Sequence, residues 1–149
     1  MRKHQTNSGF TVIELLLVIV LVLILASIVA ASYSGIRKSE RNKERRSDIT
    51  IIQGKLETYY ANFSKYPTLD EINNDKWRNE NFKDIDGAVL YDPSSDSSKF
   101  VAKPAGGAYA YEVTSTDGKS CDNKDVICTQ YTLTATYEGG DTFSKNNIN

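Results

Sequence analysis

From Phe10 to Ala31 the chain runs for 22 residues broken only by Thr11, Glu14 and Ser27, with no Pro or Gly. Coiled as an α-helix, such a run spans about 33 Å, enough to cross the hydrocarbon core of a bilayer. A helix apolar on every side cannot stand in water, so it must be covered by lipid or by other apolar helices. Glu14 is at odds with this setting. A carboxylate inside a membrane segment costs about 2.5–3.5 kcal/mol on insertion scales, so it calls for a partner.

Two ordinary readings account for most of the run. One is a plain signal anchor. The other is a secretory signal peptide, with Arg2 and Lys3 as its basic start and Val29-Ala30-Ala31 before Ser32 as its cleavage site. Neither gives Glu14 a role.

The residues that open the run read Gly9-Phe10-Thr11-Val12-Ile13-Glu14. This resembles the prepilin peptidase motif of type IV pilins and type II secretion pseudopilins, matching at Gly9, Phe10, Thr11 and Glu14 and in the apolar run from Leu15. The resemblance implies that residues 1–9 are a basic leader removed by prepilin peptidase after Gly9. It implies that the new Phe10 amine is N-methylated, and that Glu14 sets the register of each incoming subunit by meeting that amine in a neighbour or in its own chain. One helical turn separates Glu14 from Phe10. Pairing a buried carboxylate with an amine removes much of its burial cost.

The partners implied are further copies of the chain in a helical filament, the peptidase, the inner-membrane assembly machinery, and membrane lipid before assembly. The expected localisation is a single-pass inner-membrane protein that later joins a surface filament. The main functional expectation is a type IV pilus subunit serving adhesion, motility or DNA uptake. The alternatives are a major-type pseudopilin of a type II secretion system and a membrane-anchored extracellular binding domain that never polymerises. Tyr66-Pro67-Thr68 resembles the major pseudopilins, whereas a paired-cysteine loop leans to the pilus side.

Residues 10–31 form the expected membrane and filament-core helix, and residues 32–63 its amphipathic continuation. Arg37, Lys38, Arg41, Lys43, Arg45 and Arg46 follow the apolar run, mixed with Glu40 and Glu44. Counted alone, they place the C-terminal part in the cytoplasm. The motif and the cysteines set it on the other side. The stretch reads as a solvated helix face, with pairing to neighbouring subunits as its functional version and anionic lipid binding as another. Beyond it, Ile49, Ile52, Leu56, Tyr59, Tyr60 and Phe63 fall three or four apart and predict one stripe packed on a core. Ser32-Tyr33-Ser34-Gly35 is the expected weak point of the helix.

Pro67 ends the helix by disfavouring α geometry at Tyr66. Thr68-x-x-Glu71 predicts a capped short helix over residues 69–74. Residues 64–107 otherwise read as a variable loop region, anchored by Trp77, Phe82 and Ile85, with a turn at 91–95. Residues 108–143 read as an antiparallel sheet: strands at 108–114 and 130–137, and a short third beginning near Phe143. A flexible tail is expected over 144–149. Fold class is therefore α+β, a long N-terminal helix on a small antiparallel sheet, as the resemblance also implies.

Cys121 and Cys128 lie between the two strands, and a disulfide is expected to close the loop. Such a short ring is worth about 2–3 kcal/mol in the chain-entropy model. Asp117, Asp122 and Asp125 share this region and read as solvated turn residues, not as a calcium site. No metal or other cofactor is expected.

Several function classes are excluded. His4 is the only histidine, which removes Ser-His-Asp and Cys-His nucleophile systems and any His/Cys zinc set. Residues 64–149 hold nine Lys/Arg against fourteen Asp/Glu. That surface is unlike a nucleic-acid-binding one, which needs clustered cations to displace counterions. The chain is not expected to be an enzyme.

Overall fold

The computed structural model describes residues 9–148. Arg2, Lys3 and His4 of the expected leader lie outside the described residues. The chain divides into two compact units, Met1–Lys38 and Ser39–Asn149.

The first unit consists of the opening residues and the first part of helix α1, which is assigned over Val12–Phe63. This part of the helix is long and apolar enough to cross a membrane. Its large apolar side chains are all exposed, from 46 % for Val18 to 84 % for Phe10. Such a surface demands cover by lipid or by other apolar helices. Residues 32–35, the expected weak point, are helical.

The second unit begins with the rest of α1 and carries the sheet. Ile49, Ile52 and Leu56 are fully buried and Tyr59 nearly so, as the three-and-four spacing requires. Tyr60 is half-buried and packs against the core, whereas Phe63, at the end of the predicted stripe, is 54 % exposed. Phe63 packs its ring at a tilt against Tyr59, centroids 4.5 Å apart, instead of entering the core.

The chain turns at Ser64, which has a φ of 53°, and Tyr66 and Pro67 then drop into the core. Helix α2 (Leu69–Ile72) is short because its capping box fixes only one turn. The Glu71 amide donates to Thr68 Oγ1 at 3.2 Å, and the Thr68 amide donates to Glu71 Oε2 at 2.7 Å. Helix α3 (Asp75–Asn81) occupies part of the expected loop region and is a correction to it. Asn74 caps it by accepting from the Trp77 amide at 3.1 Å. Trp77, Phe82 and Ile85 pack on the core, and the 91–95 turn is closed by the Ser95 amide on Asp92 O at 2.8 Å.

Strands β1 (Ala110–Thr114), β2 (Gln130–Thr136) and β3 (Thr142–Asn146) form one antiparallel sheet in that order. Tyr111 pairs with Leu133, and Val113 with Tyr131. Alternation sends Tyr131, Leu133 and Ala135 to the α1 side. The turn from β2 to β3 is closed by the Tyr137 amide on Asp141 O at 2.7 Å and uses Gly140 at a φ of 91°, a conformation glycine adopts without strain.

The expected flexible tail from Ser144 is also corrected. Ser144, Lys145 and Asn146 belong to β3, paired with Thr134, Leu133 and Thr132. Gln53 of α1 donates to Asn146 O at 2.8 Å, and the Ile148 amide donates to Glu57 Oε1 at 3.2 Å.

Candidate functional site: the capped start of the apolar helix

Gly9 and Phe10 precede α1 in non-helical backbone and are exposed. Thr11 is the residue before the first helical position, and Glu14 is the third residue of the helix. The two side chains form a reciprocal cap. Thr11 N–H and Thr11 Oγ1 each lie 2.9 Å from Glu14 Oε2, and the Glu14 amide donates to Thr11 Oγ1 at 3.2 Å. This is the Ser/Thr-x-x-Glu capping box, which satisfies amides left without partners in the first turn. A negative charge here also lies at the positive end of the helix dipole.

Glu14, expected from the motif to be a charge awaiting an amine, thus also caps the helix. The spacing Thr11-x-x-Glu14 carries the signal, just as Thr68-x-x-Glu71 does further on. Glu14 is therefore held in place by the cap within its own chain.

The charged stretch beyond the membrane segment corrects another expectation. Arg45 is not a solvated residue: it is 1 % exposed. Its Nε donates to Asp92 Oδ2 at 2.7 Å and its Nη2 to Asp92 Oδ1 at 2.9 Å. Its Nη1 donates to Asn42 Oδ1 at 2.8 Å, and Nη2 also reaches Ser94 Oγ. Burial would raise the Asp92 carboxyl, but the Arg45 hydrogen bonds, with those from Ser94, outweigh it and hold the group below the usual range. Arg41 makes a two-point ion pair with Glu138 at the β2–β3 turn.

Asp48, one turn on, is also buried and accepts from Tyr109 Oη at 2.6 Å. Burial pushes its carboxyl up to about 6, the Tyr109 hydrogen bond opposes this, and Glu44 and Asp92 add to it. The cleft lined by Arg41, Arg45, Ser94, Thr136 and Glu138 thus holds two guanidiniums already engaged by carboxylates.

Cys121 and Cys128 are joined, with Cα atoms 5.2 Å apart. The closed loop locks onto Tyr66, just past the end of α1. The Tyr66 amide donates to Cys128 O at 2.8 Å, and Asn123 Nδ2 donates to Tyr66 O at 2.8 Å. Asp122 Oδ1 accepts amides of Lys124, Asp125 and Val126 at 2.9–3.1 Å, which lowers its carboxyl pKa and marks it as a turn residue. Among the described residues no group of three His, Cys, Asp or Glu is placed to hold a metal ion.

Three curated relatives show what the chain is similar to. It is 33 % identical over 67 residues to the Type II secretion system core protein G of Klebsiella pneumoniae, covering 45 % of this chain and 48 % of the relative. The proteins of the same name from Vibrio cholerae serotype O1 and Escherichia coli K12 are 32 % and 31 % identical over 71 residues, 48 % of this chain and 49 % of each relative. The chain spans about half the length of the curated relatives it matches. No family model matches it. No solved structure matches it. These relatives bear out the resemblance to type II secretion pseudopilins, and a long N-terminal helix with a three-stranded antiparallel sheet is a pilin-like α+β architecture.

Proposed function

We propose that this chain is a filament subunit of the major-pseudopilin type, working in a type II secretion system. The reading is carried by one observation: Gly9-Phe10 opens an unbroken apolar run whose large side chains are exposed along the first part of α1 and whose first turn holds the one carboxylate of the run, Glu14. The name shared by the relatives favours this alternative over the type IV pilus subunit that the sequence puts first.

In this reading prepilin peptidase cuts after Gly9 in the membrane and Phe10 is N-methylated. The Phe10 amine of one subunit then meets Glu14 of a neighbour. Bringing apolar helices together removes the water-facing or lipid-facing surface of each, and the ion pair offsets the cost of enclosing the carboxylate. The second unit, stapled by Cys121–Cys128, faces outward. Catalysis forms no part of this role.

The N-terminus of the protein purified from its native envelope tests the reading, by mass spectrometry of the N-terminal peptide. Processing gives a chain that begins at N-methylated Phe10. A chain beginning at Met1 is an uncut anchor, and one beginning at Ser32 is a secreted domain; either removes the filament. The disulfide favours a pilus, so a second measurement separates the two machines. Deleting the gene abolishes secretion of exported enzymes in one case and surface fibres in the other.

A further inference from the structure

We propose that α1 just beyond its apolar run is a binding site for anionic phospholipid headgroups, built on the Tyr33–Arg37 pair together with Lys38. The proposal rests on the membrane-spanning reading of the helix and not on filament assembly.

The position is set by helix geometry. At about 1.5 Å per residue, Tyr33, Arg37 and Lys38 fall within about 10 Å of Ala31, the depth at which headgroups begin. Tyrosine favours this boundary because its ring is apolar and its hydroxyl is not. Arg37 lies one turn on, and its Nη2 donates to Tyr33 Oη at 2.6 Å. Its guanidinium carbon sits 4.4 Å from the centre of the Tyr33 ring. The ring thus holds the cation back toward the apolar side, while the remaining N–H donors keep the fork that matches a phosphate.

The charges around it single out the same residues. Of the six cations between Arg37 and Arg46, Arg41 is engaged by Glu138 and Arg45 by Asp92. Arg46 lies over the Phe143 ring at 5.0 Å, toward the sheet. Arg37 and Lys38 are exposed and make no ion pair among the described residues. Glu40, the nearest acid, and Glu44 beyond it are exposed on the same helix and soften the local potential. The ligand favoured is a phosphodiester with net negative charge, such as phosphatidylglycerol. A choline headgroup brings its own cation, which competes with Arg37 and Lys38.

The full, uncut chain is reconstituted in phosphatidylcholine bilayers carrying spin-labelled phosphatidylglycerol or spin-labelled phosphatidylcholine. The motionally restricted fraction of each label gives the lipid preference. The expected result is a several-fold preference for phosphatidylglycerol that is largely lost, toward equal restriction of the two labels, in Arg37→Gln/Lys38→Gln and narrows in high salt. Lys43→Gln/Arg46→Gln, further from the membrane, keeps most of it. All four side chains are exposed; because Arg46 also lies over the Phe143 ring, the circular dichroism of each variant is compared with the parent's, and the leader cations Arg2 and Lys3 contribute equally to every sample. The proposal is overturned if the preference survives Arg37→Gln/Lys38→Gln, or if both double variants lower it equally. A preference that appears only at protein-to-lipid ratios where the chains self-associate also overturns it, since the cations then serve acidic groups of a neighbouring copy. A negative result leaves the filament reading intact, because that reading is tested on the processed N-terminus.

Discussion

Arg45 and Asp92 lie 47 positions apart and form a two-point ion pair with almost no exposure, at 2.7 and 2.9 Å. The pair ties the middle of α1 to the turn that precedes the sheet. Each nitrogen of the Arg45 guanidinium donates to Asp92, Asn42 or Ser94, and such pairing lowers the penalty of enclosing a charge. Asp92→Asn leaves the guanidinium buried and half-served. It is expected to destabilise the fold by about 3–5 kcal/mol, read as a lower urea midpoint of the full chain in detergent. Arg45→Leu/Asp92→Leu, which removes both charges, is expected to cost less than either single change.

Asp48 gives a pH dependence with a definite sign. Its folded-state pKa of about 6 lies above the ordinary value of 3.8, so the folded chain holds this proton more tightly than the unfolded chain. The contribution is full below pH about 4 and is lost as pH rises through about 6, amounting to at most about 3 kcal/mol. Asp48→Asn keeps an acceptor for the Tyr109 hydroxyl and is expected to flatten the stability curve between pH 4 and 6. An unchanged slope in that variant removes Asp48 as its source.

These two groups mark the boundary of what the sequence makes legible. The stripe Ile49, Ile52, Leu56 and Tyr59 is visible because apolar burial repeats with the helical period. Arg45 and Asp48 interleave with that stripe but are charged, so they read as solvent-facing. Only the arrival of Asp92 and Tyr109 from distant sequence makes their burial tolerable, and no local pattern announces such a meeting. Helix α3 is hidden for a related reason: seven mostly polar residues carry no period, and only the Asn74 cap hints at it. The polar segment Ser144–Asn146 becomes a strand because β2 offers it a free edge. The Thr11–Glu14 cap, by contrast, is fully local and readable.

The Cys121–Cys128 bond closes a loop that holds Tyr66 through both its amide and its carbonyl. Cys121→Ser/Cys128→Ser is expected to lower stability by about 2–3 kcal/mol. Hydrogen exchange should rise first at the Tyr66 and Cys128 amides, because Asn123 Oδ1 also accepts from Cys128 N–H at 3.0 Å. If exchange rises uniformly across the sheet instead, the loop is not the local clamp that the geometry describes.

Glu14 caps the helix through Thr11, and the proposed pairing with a neighbour's amine is a second job that one pair of variants separates from the first. Glu14→Gln keeps an oxygen for the Thr11 amide and so keeps the cap, but it carries no charge for a neighbour's amine. Glu14→Leu removes both the cap and the charge. If register in the filament depends on the ion pair, both variants are cut after Gly9 and accumulate in the membrane, and neither yields sedimentable filaments. If the cap alone suffices, Glu14→Gln assembles like the parent while Glu14→Leu does not. Processing is followed by the N-terminal peptide and assembly by electron microscopy of sheared material. The expected outcome is the first, because an uncharged amide cannot offset the enclosed positive amine of Phe10.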